Sequence, residues 1–179
     1  MKKAVLVNGV PASGKSSIAR ILADAKKWPI LALDTIKEPF FDRLGIGDRE
    51  FNRKLGRASS QAIWSIVRDA PDGMTFVVDA WFGFQPRETL EAHLANAGVK
   101  MTAEIWCHAP PQTLAERYSA RLHLRHAGHP GAAFLPELIG LARRAEPLRR
   151  GPILDIETTR PIDRAALLVW VDGALTTSE

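Results

Sequence analysis

The segment Gly9-Val10-Pro11-Ala12-Ser13-Gly14-Lys15-Ser16 carries the complete spacing G-x-x-x-x-G-K-S. An apolar run, Ala4 to Val7, precedes it, and an amphipathic stretch follows from Lys15. A strand, a glycine-rich turn and a helix in that order form a phosphate cradle. The glycines allow backbone angles that turn successive N–H groups inward around an anion. The following helix aims its positive end at the same place. Lys15 is placed to reach the β- and γ-phosphates and Ser16 to ligate Mg²⁺. The expected triphosphate-binding set is Gly9, Pro11, Ala12, Ser13, Gly14, Lys15, Ser16 and Ser17. The Asn-Lys-x-Asp sequence that reads guanine in proteins with this loop is absent, which favours ATP over GTP.

The rest of the chain alternates short apolar runs with amphipathic stretches, the pattern of an α/β fold with a mostly parallel sheet. Five strands are expected, at Ala4–Val7, Ile30–Leu33, Thr75–Val78, Lys100–Cys107 and Ile153–Ile156. Helices are expected over Lys15–Ala25, Phe51–Val67, Pro86–Ala97, Pro136–Arg144 and Ile162–Val171, with a long basic helix from Pro110-Pro111 to near Gly128. The expected architecture is thus a three-layer P-loop sandwich with an arginine-rich helical lid at about 117–150. At 179 residues, the chain is read as one domain, 1–179.

Two carboxylates close apolar strands, Asp34 after Ile30–Leu33 and Asp79 after Phe76–Val78. In an open parallel sheet the carboxyl ends of the strands face the ligand crevice. Phosphoryl transfer needs charge neutralisation, in-line placement and a carboxylate to orient the attacking hydroxyl. Asp34 is assigned as that base and Asp79, with Ser16, to the Mg²⁺ shell, although the two roles are exchangeable on sequence. A turn or capping aspartate is the plainer reading of each. Arg117, Arg121 and Arg125 recur every four residues. On one helical face they suit a lid that closes on phosphates, and Arg117 and Arg121 join Lys15 and Asp34 in the expected catalytic set. Arg125 reads equally as surface. His129-Pro130-Gly131 reads as a hinge or lid loop.

Aromatics follow both aspartates: Phe40 and Phe41 after the first, Trp81, Phe82 and Phe84 after the second. They are candidates to wall an acceptor pocket, with ordinary packing as the alternative. Arg53, Arg57 and Arg87 are candidates to hold an acidic acceptor, although each is compatible with plain surface charge. Arg43, Arg49, Arg53, Arg57 and Arg68 form no clear pattern for an acceptor phosphate, so a sugar, sugar acid or antibiotic is preferred to a nucleotide. Net charge is +4, from 24 basic and 20 acidic residues. No aromatic ladder interleaves the basic segment, which weighs against nucleic acid as a partner. The single cysteine, Cys107, can form no internal disulfide and reads as a buried strand residue. No apolar run is long enough to cross a bilayer and no cleavage-type leader is recognisable, so a cytoplasmic monomer or homodimer is expected.

Together, Gly9 to Ser16, Leu33-Asp34, Val78-Asp79 and Glu116-Arg117…Arg121…His129-Pro130-Gly131 resemble the small P-loop kinases. The resemblance is to AAA-type ATP-binding kinases, chloramphenicol phosphotransferase and zeta-toxin-like kinases, with gluconate kinases further away. It implies ATP and Mg²⁺ as cofactors, a hydroxyl of a small molecule as acceptor, Asp34 as base, and Arg117 and Arg121 on the phosphates. It also implies that Asp155 to Pro161 lies beside the adenine. Leu33-Asp34-Thr35-Ile36-Lys37 and Trp81-Phe82-Gly83-Phe84 match no acceptor signature. A toxin-type kinase of a nucleotide sugar, or an ATPase switch without an acceptor, shares the same loop.

Overall fold

The computed structural model describes residues 1–176. Its centre is a parallel sheet of five strands, β1 (Lys2–Asn8), β2 (Ile30–Ala32), β3 (Thr75–Asp79), β4 (Val99–His108) and β5 (Ile153–Glu157). The order across the sheet is β2-β3-β1-β4-β5. β1 is therefore central, paired to β3 through Val7↔Asp79 and to β4 through Asn8↔Trp106. The chain leaves β1 for one side of the sheet and later crosses to the other. That reversal opens a crevice at the carboxyl end of β1.

Alternation along β1 dictates the layers. Ala4 and Leu6 face α3 (Arg49–Asp69) and α4 (Arg87–Asn96), in a core with Ile63, Trp64, Phe76, Leu90 and Leu94. Val5 and Val7 face α1 (Lys15–Lys26) and α7 (Arg164–Ala174), in a core with Ile18, Leu22, Ile105, Leu167 and Val171. Cys107 is fully buried in this second core, where burial pushes its thiol up to about 12. A third cluster lies at the carboxyl edge, where Val10 and Ala12 meet α5 (Pro111–Ala120) and α6 (Leu135–Arg144) through Leu114, Tyr118, Leu138 and Leu141.

Two expectations about elements need correction. β2 ends at Ala32, and Leu33 to Leu44 form a helix, α2, with Pro39 inside it. Asp34 therefore sits in the first turn of a helix rather than at a strand end. Pro39 deprives the Thr35 carbonyl of its helical donor, and both residues are exposed, so water can serve that carbonyl. The long basic helix is also shorter. α5 stops at Ala120, a 3-10 turn covers Leu122–Leu124, and Arg121 lies between the two. The arginine row is consequently broken and does not form one continuous helical face.

A buried polar network ties the sheet edge together. The Asn8 amide donates to Glu104 Oε1 at 2.8 Å, and its oxygen accepts from the N–H groups of Gly9 and Phe82. Glu104, 2 % exposed, also accepts from the N–H groups of Leu148 and Arg149. The segment between α6 and β5 is thereby fastened to β4. Glu104→Ala orphans three donors and is expected to cost about 2–4 kcal/mol, as read by urea denaturation. A loss below about 0.5 kcal/mol, the usual surface value, would refute this account of the edge.

Candidate functional site

The loop between β1 and α1 turns within van der Waals reach of β4. A Cβ built on Gly9 would lie 2.3 Å from the Cys107 carbonyl oxygen and 2.4 Å from Ser13 Oγ. Only glycine fits there. Ala12 (φ 68°) and Gly14 (φ 85°) take the left-handed conformation that curls the loop. α1 then starts at Lys15 with no side-chain cap; the Ser17 amide bonds the Gly14 carbonyl, and the Lys15 and Ser16 amides are left for an anion. Pro11, Ala12, Gly14, Lys15, Ser16 and Ser17 all line a single cleft of about 1450 Å³, while Gly9 and Ser13 support it from beneath.

Asp34 and Asp79 both line this cleft, in contrasting settings. Asp34 is exposed and stands in the first turn of α2. Asp79 is 5 % exposed, and its Oδ1 has no hydrogen-bond partner. Burial pushes its carboxyl above the ordinary range, Lys15 and the Ser16 hydroxyl oppose that, and the Asp34 charge adds to it. A buried, unsatisfied carboxylate oxygen beside a serine hydroxyl and a phosphate cradle fits a hydrated divalent cation. Among the described residues no group of three His, Cys, Asp or Glu could hold a metal, so such a cation would take most ligands from water and phosphate.

The arginines separate. Arg117 does not line the cleft: its guanidinium donates to Thr158 Oγ1 at 2.8 Å and to the Thr158 carbonyl at 2.9 Å. Thr158 in turn abuts Gly14, so Arg117 braces the turn after β5 against the loop. This is the part of the Asp155–Pro161 segment that reaches the loop, while Asp155 itself pairs with His108 at 2.6 Å. Arg121 does line the cleft. Burial, Arg125 and Arg117 all lower its affinity for a proton, as in a cluster of cations awaiting an anion. Arg125 also lines the cleft, stacked 4.8 Å over the Tyr118 ring with its Nε buried and unpaired. Sequence periodicity leaves Arg125 open between lid and surface, because it does not show that the helix breaks and turns the residue inward.

The segment His126 to Gly131 docks on α2. His126 stacks on Phe41 with ring centroids 5.2 Å apart, and His129 meets the same ring edge-on at 5.7 Å. His126 also pairs with Asp42 at 3.0 Å and His129 with Glu38 at 2.9 Å. Asn52 donates to the Gly128 carbonyl, and Tyr118 to that of Pro130. Phe41 thus belongs to this lid contact, and Phe82 is core, whereas Trp81 and Phe84 wall the cleft and Phe40 does not. Lys37, which the sequence did not single out, is 7 % exposed and faces the cleft beside Asn52.

The profile of the AAA_33 family, an AAA domain, matches residues 5–134, from β1 through the docked lid segment. The chain belongs to this AAA domain family. A crystal structure from Chloroflexus aurantiacus, assigned provisionally as a kinase, shares 28% identity with the AAA domain described here. The match covers 98% of this chain and 99% of that one, with a TM-score of 0.83. A gluconokinase from Sinorhizobium meliloti has the same fold at 22% identity and TM-score 0.61, covering 96% of this chain and 93% of that one. Kti12 from Chaetomium thermophilum, solved with ADP-AlF3, does so at 16% identity and TM-score 0.66, covering 97% and 100%. No curated protein matches the chain significantly. The AAA domain is a P-loop nucleotide-binding fold of the kinase-like type. No helix among the described residues is long and apolar enough to cross a membrane.

Two outcomes test the docked segment. A Cβ on Gly128 would lie 2.4 Å from the Phe41 ring, itself 3 % exposed. Gly128→Ala is therefore expected to undock residues 126–131 and to speed their cleavage in limited proteolysis by roughly tenfold or more. Unchanged cleavage would rule out a tight contact. Burial lowers the His129 pKa below 6.5, against the pull of Asp34 and Glu38. Docking holds the neutral ring, so its contribution is complete above the unfolded-state value and is lost as pH falls through the lower folded value. Cleavage of this segment is expected to be faster at pH 5 than at pH 7.5, with His129→Gln flattening the difference.

Proposed function

We propose that this protein is an ATP-dependent kinase that moves the γ-phosphoryl group of ATP to a hydroxyl of a small molecule. The observation that carries this reading is the contrast between the two carboxylates. Environments that set two titratable groups apart give them separate tasks. Asp79 lies buried behind Ser16 and Lys15, where a carboxylate suits a cation's water shell. Asp34 is exposed on the open side of the cleft, where its carboxylate is within reach of an incoming hydroxyl.

Roles then divide by position. The loop amides and Lys15 hold the β- and γ-phosphates. Ser16 and Asp79 would hold Mg²⁺ beside the phosphate loop. When bound, Mg²⁺ neutralises charge on the phosphates. Asp34 orients and deprotonates the acceptor hydroxyl for in-line attack. Arg121 and Arg125 face the cleft from the lid and neutralise charge on the group in transit. Arg117 acts one step back, holding the turn at Thr158 against Gly14. A cleft this large, roofed by the docked lid, has room for an acceptor and can exclude water.

Asp34→Asn should retain ATP affinity within about twofold and lose acceptor phosphorylation by about 10²–10⁴-fold. Lys15→Ala should weaken ATP binding as well. Acceptor-dependent ADP release, with product mass confirmed, separates the two variants. If Asp34→Asn keeps full turnover and no acceptor stimulates the wild type, the protein is an ATPase and not a kinase.

A further inference from the structure

The acceptor half of the cleft contains a cationic pocket that none of the assigned roles uses. Its floor is Lys37, on α2. A lysine only 7 % exposed is costly to bury unless an anion faces it. Among the described residues, no carboxylate lies within ion-pair distance of its ammonium. Its contacts are the neutral Asn52 side-chain oxygen and the Phe41 ring, 5.2 Å from centroid to Nζ. Burial lowers its pKa, Asp34 partly compensates, and Arg125 adds to the lowering.

Across from Lys37, α3 presents Asn52, Arg53, Gly56 and Arg57 to the same cleft. Spacings of three and four place these residues on one helical face. Gly56 keeps the way to Lys37 open: a Cβ there would lie 3.9 Å from Lys37 Nζ and 3.8 Å from the Phe84 ring, and a longer side chain would fill that gap. Arg49, one turn before Arg53, is paired with Glu137 of α6. Arg53 and Arg57 have no carboxylate partner among the described residues, although acidic residues are plentiful nearby. Arg68 and Arg87, by contrast, point away and pair with Asp69 and Glu91. Two exposed guanidiniums without carboxylate partners and one buried ammonium line the same cleft as Trp81 and Phe84, a set suited to an oxyanion.

We propose that the acceptor carries an anionic group, a carboxylate or a phosphate, which binds between Lys37, Arg53 and Arg57 and holds its hydroxyl toward Asp34. This rests on the kinase reading and narrows its substrate class. It excludes neutral and cationic acceptors, such as amphenicols and aminoglycosides, as preferred substrates. Anchoring by charge at one end, with the reacting hydroxyl at the other, also explains why Asp34 can stay exposed. Position comes from the anion rather than from walls around the base.

Binding is tested first, independently of catalysis. Lysine side chains labelled with ¹³C are followed by NMR with the P-loop filled by a non-hydrolysable ATP analogue and Mg²⁺. Inorganic phosphate and malonate are titrated separately, so the two arms separate phosphate from carboxylate. Expected is a saturable shift of the Lys37 resonance, assigned with Lys37→Met, for at least one anion. In Arg53→Gln/Arg57→Gln the affinity should fall by roughly tenfold or more. No saturable shift with either anion, or equal affinity in the double variant, overturns the proposal even if the protein proves to be a kinase.

Turnover is tested with a matched set of hexitol, hexonate and hexitol phosphate, with one aminoglycoside and one amphenicol. Faster turnover of an anionic member, with KM raised in the double variant and kcat changed little, supports the pocket. Turnover of a neutral or cationic member at equal or better kcat/KM overturns it while leaving the kinase reading intact. If nothing in the set is turned over, the kinase reading is weakened and the titration alone decides the pocket.

Discussion

The carboxyl edge of the sheet is organised around one buried side chain, Asn8. Its amide group faces three ways at once. It accepts from Gly9 at the start of the phosphate loop, accepts from Phe82 just beyond β3, and donates to Glu104 on β4. Glu104 extends the connection to the segment that leads into β5. Neighbouring strands already meet through their backbones, but backbone ladders end where loops begin. Asn8 carries the order past that limit, to the start of the phosphate loop and the turn beyond β3. A loop whose amides must converge on an anion gains from a rigid base, because amides fixed beforehand need no reorganisation when the charge arrives.

Charge is distributed about that base with a consistent sense. Two acidic groups line the cleft, Asp79 buried at its base and Asp34 exposed at its open side. Cations surround them from several directions: Lys15 from the loop, Arg121 and Arg125 from the lid, and Lys37 from α2. The mutual effects are visible in the pKa directions. Asp34 pushes Asp79 up and Lys37 back toward its usual value, while Arg125 lowers both Arg121 and Lys37. A cleft in which cations crowd each other binds a highly charged anion by relieving that crowding. The aromatic contacts of Phe41 with His126 and His129, and of Tyr118 with Arg125, hold the lid in place.

Much of this was legible in the sequence, for identifiable reasons. The phosphate loop could be read because each position answers a local demand, above all Gly9, where no side chain fits. The parallel sheet followed from apolar runs buried on both faces. Asp79 was locatable because β3 is long and apolar up to it. α2 was not legible: Pro39 and the short β2 conceal a helix that is stabilised by packing on α3 rather than by propensity. The break after Ala120 was invisible for the opposite reason. Arg117, Arg121 and Arg125 fit a helical repeat, and only tertiary contact turns Arg121 and Arg125 toward the cleft and leaves Arg117 on Thr158.

Lys37 illustrates the limit most clearly. In sequence it is one lysine between Ile36 and Glu38, in a segment given no element of its own, and an isolated lysine is ordinarily solvated. Once α2 forms, the residue lies three positions after Asp34 and beneath Asn52 and Gly128, where solvent is largely excluded. Its cost is then set by whatever occupies the space in front of it. Water can meet part of that cost, and an anion can meet more. The helix that hides from sequence analysis therefore sets where both Asp34 and Lys37 stand in the cleft. One packing decision, α2 against α3, brings Asp34, Lys37, Arg53 and Arg57 to a single cleft.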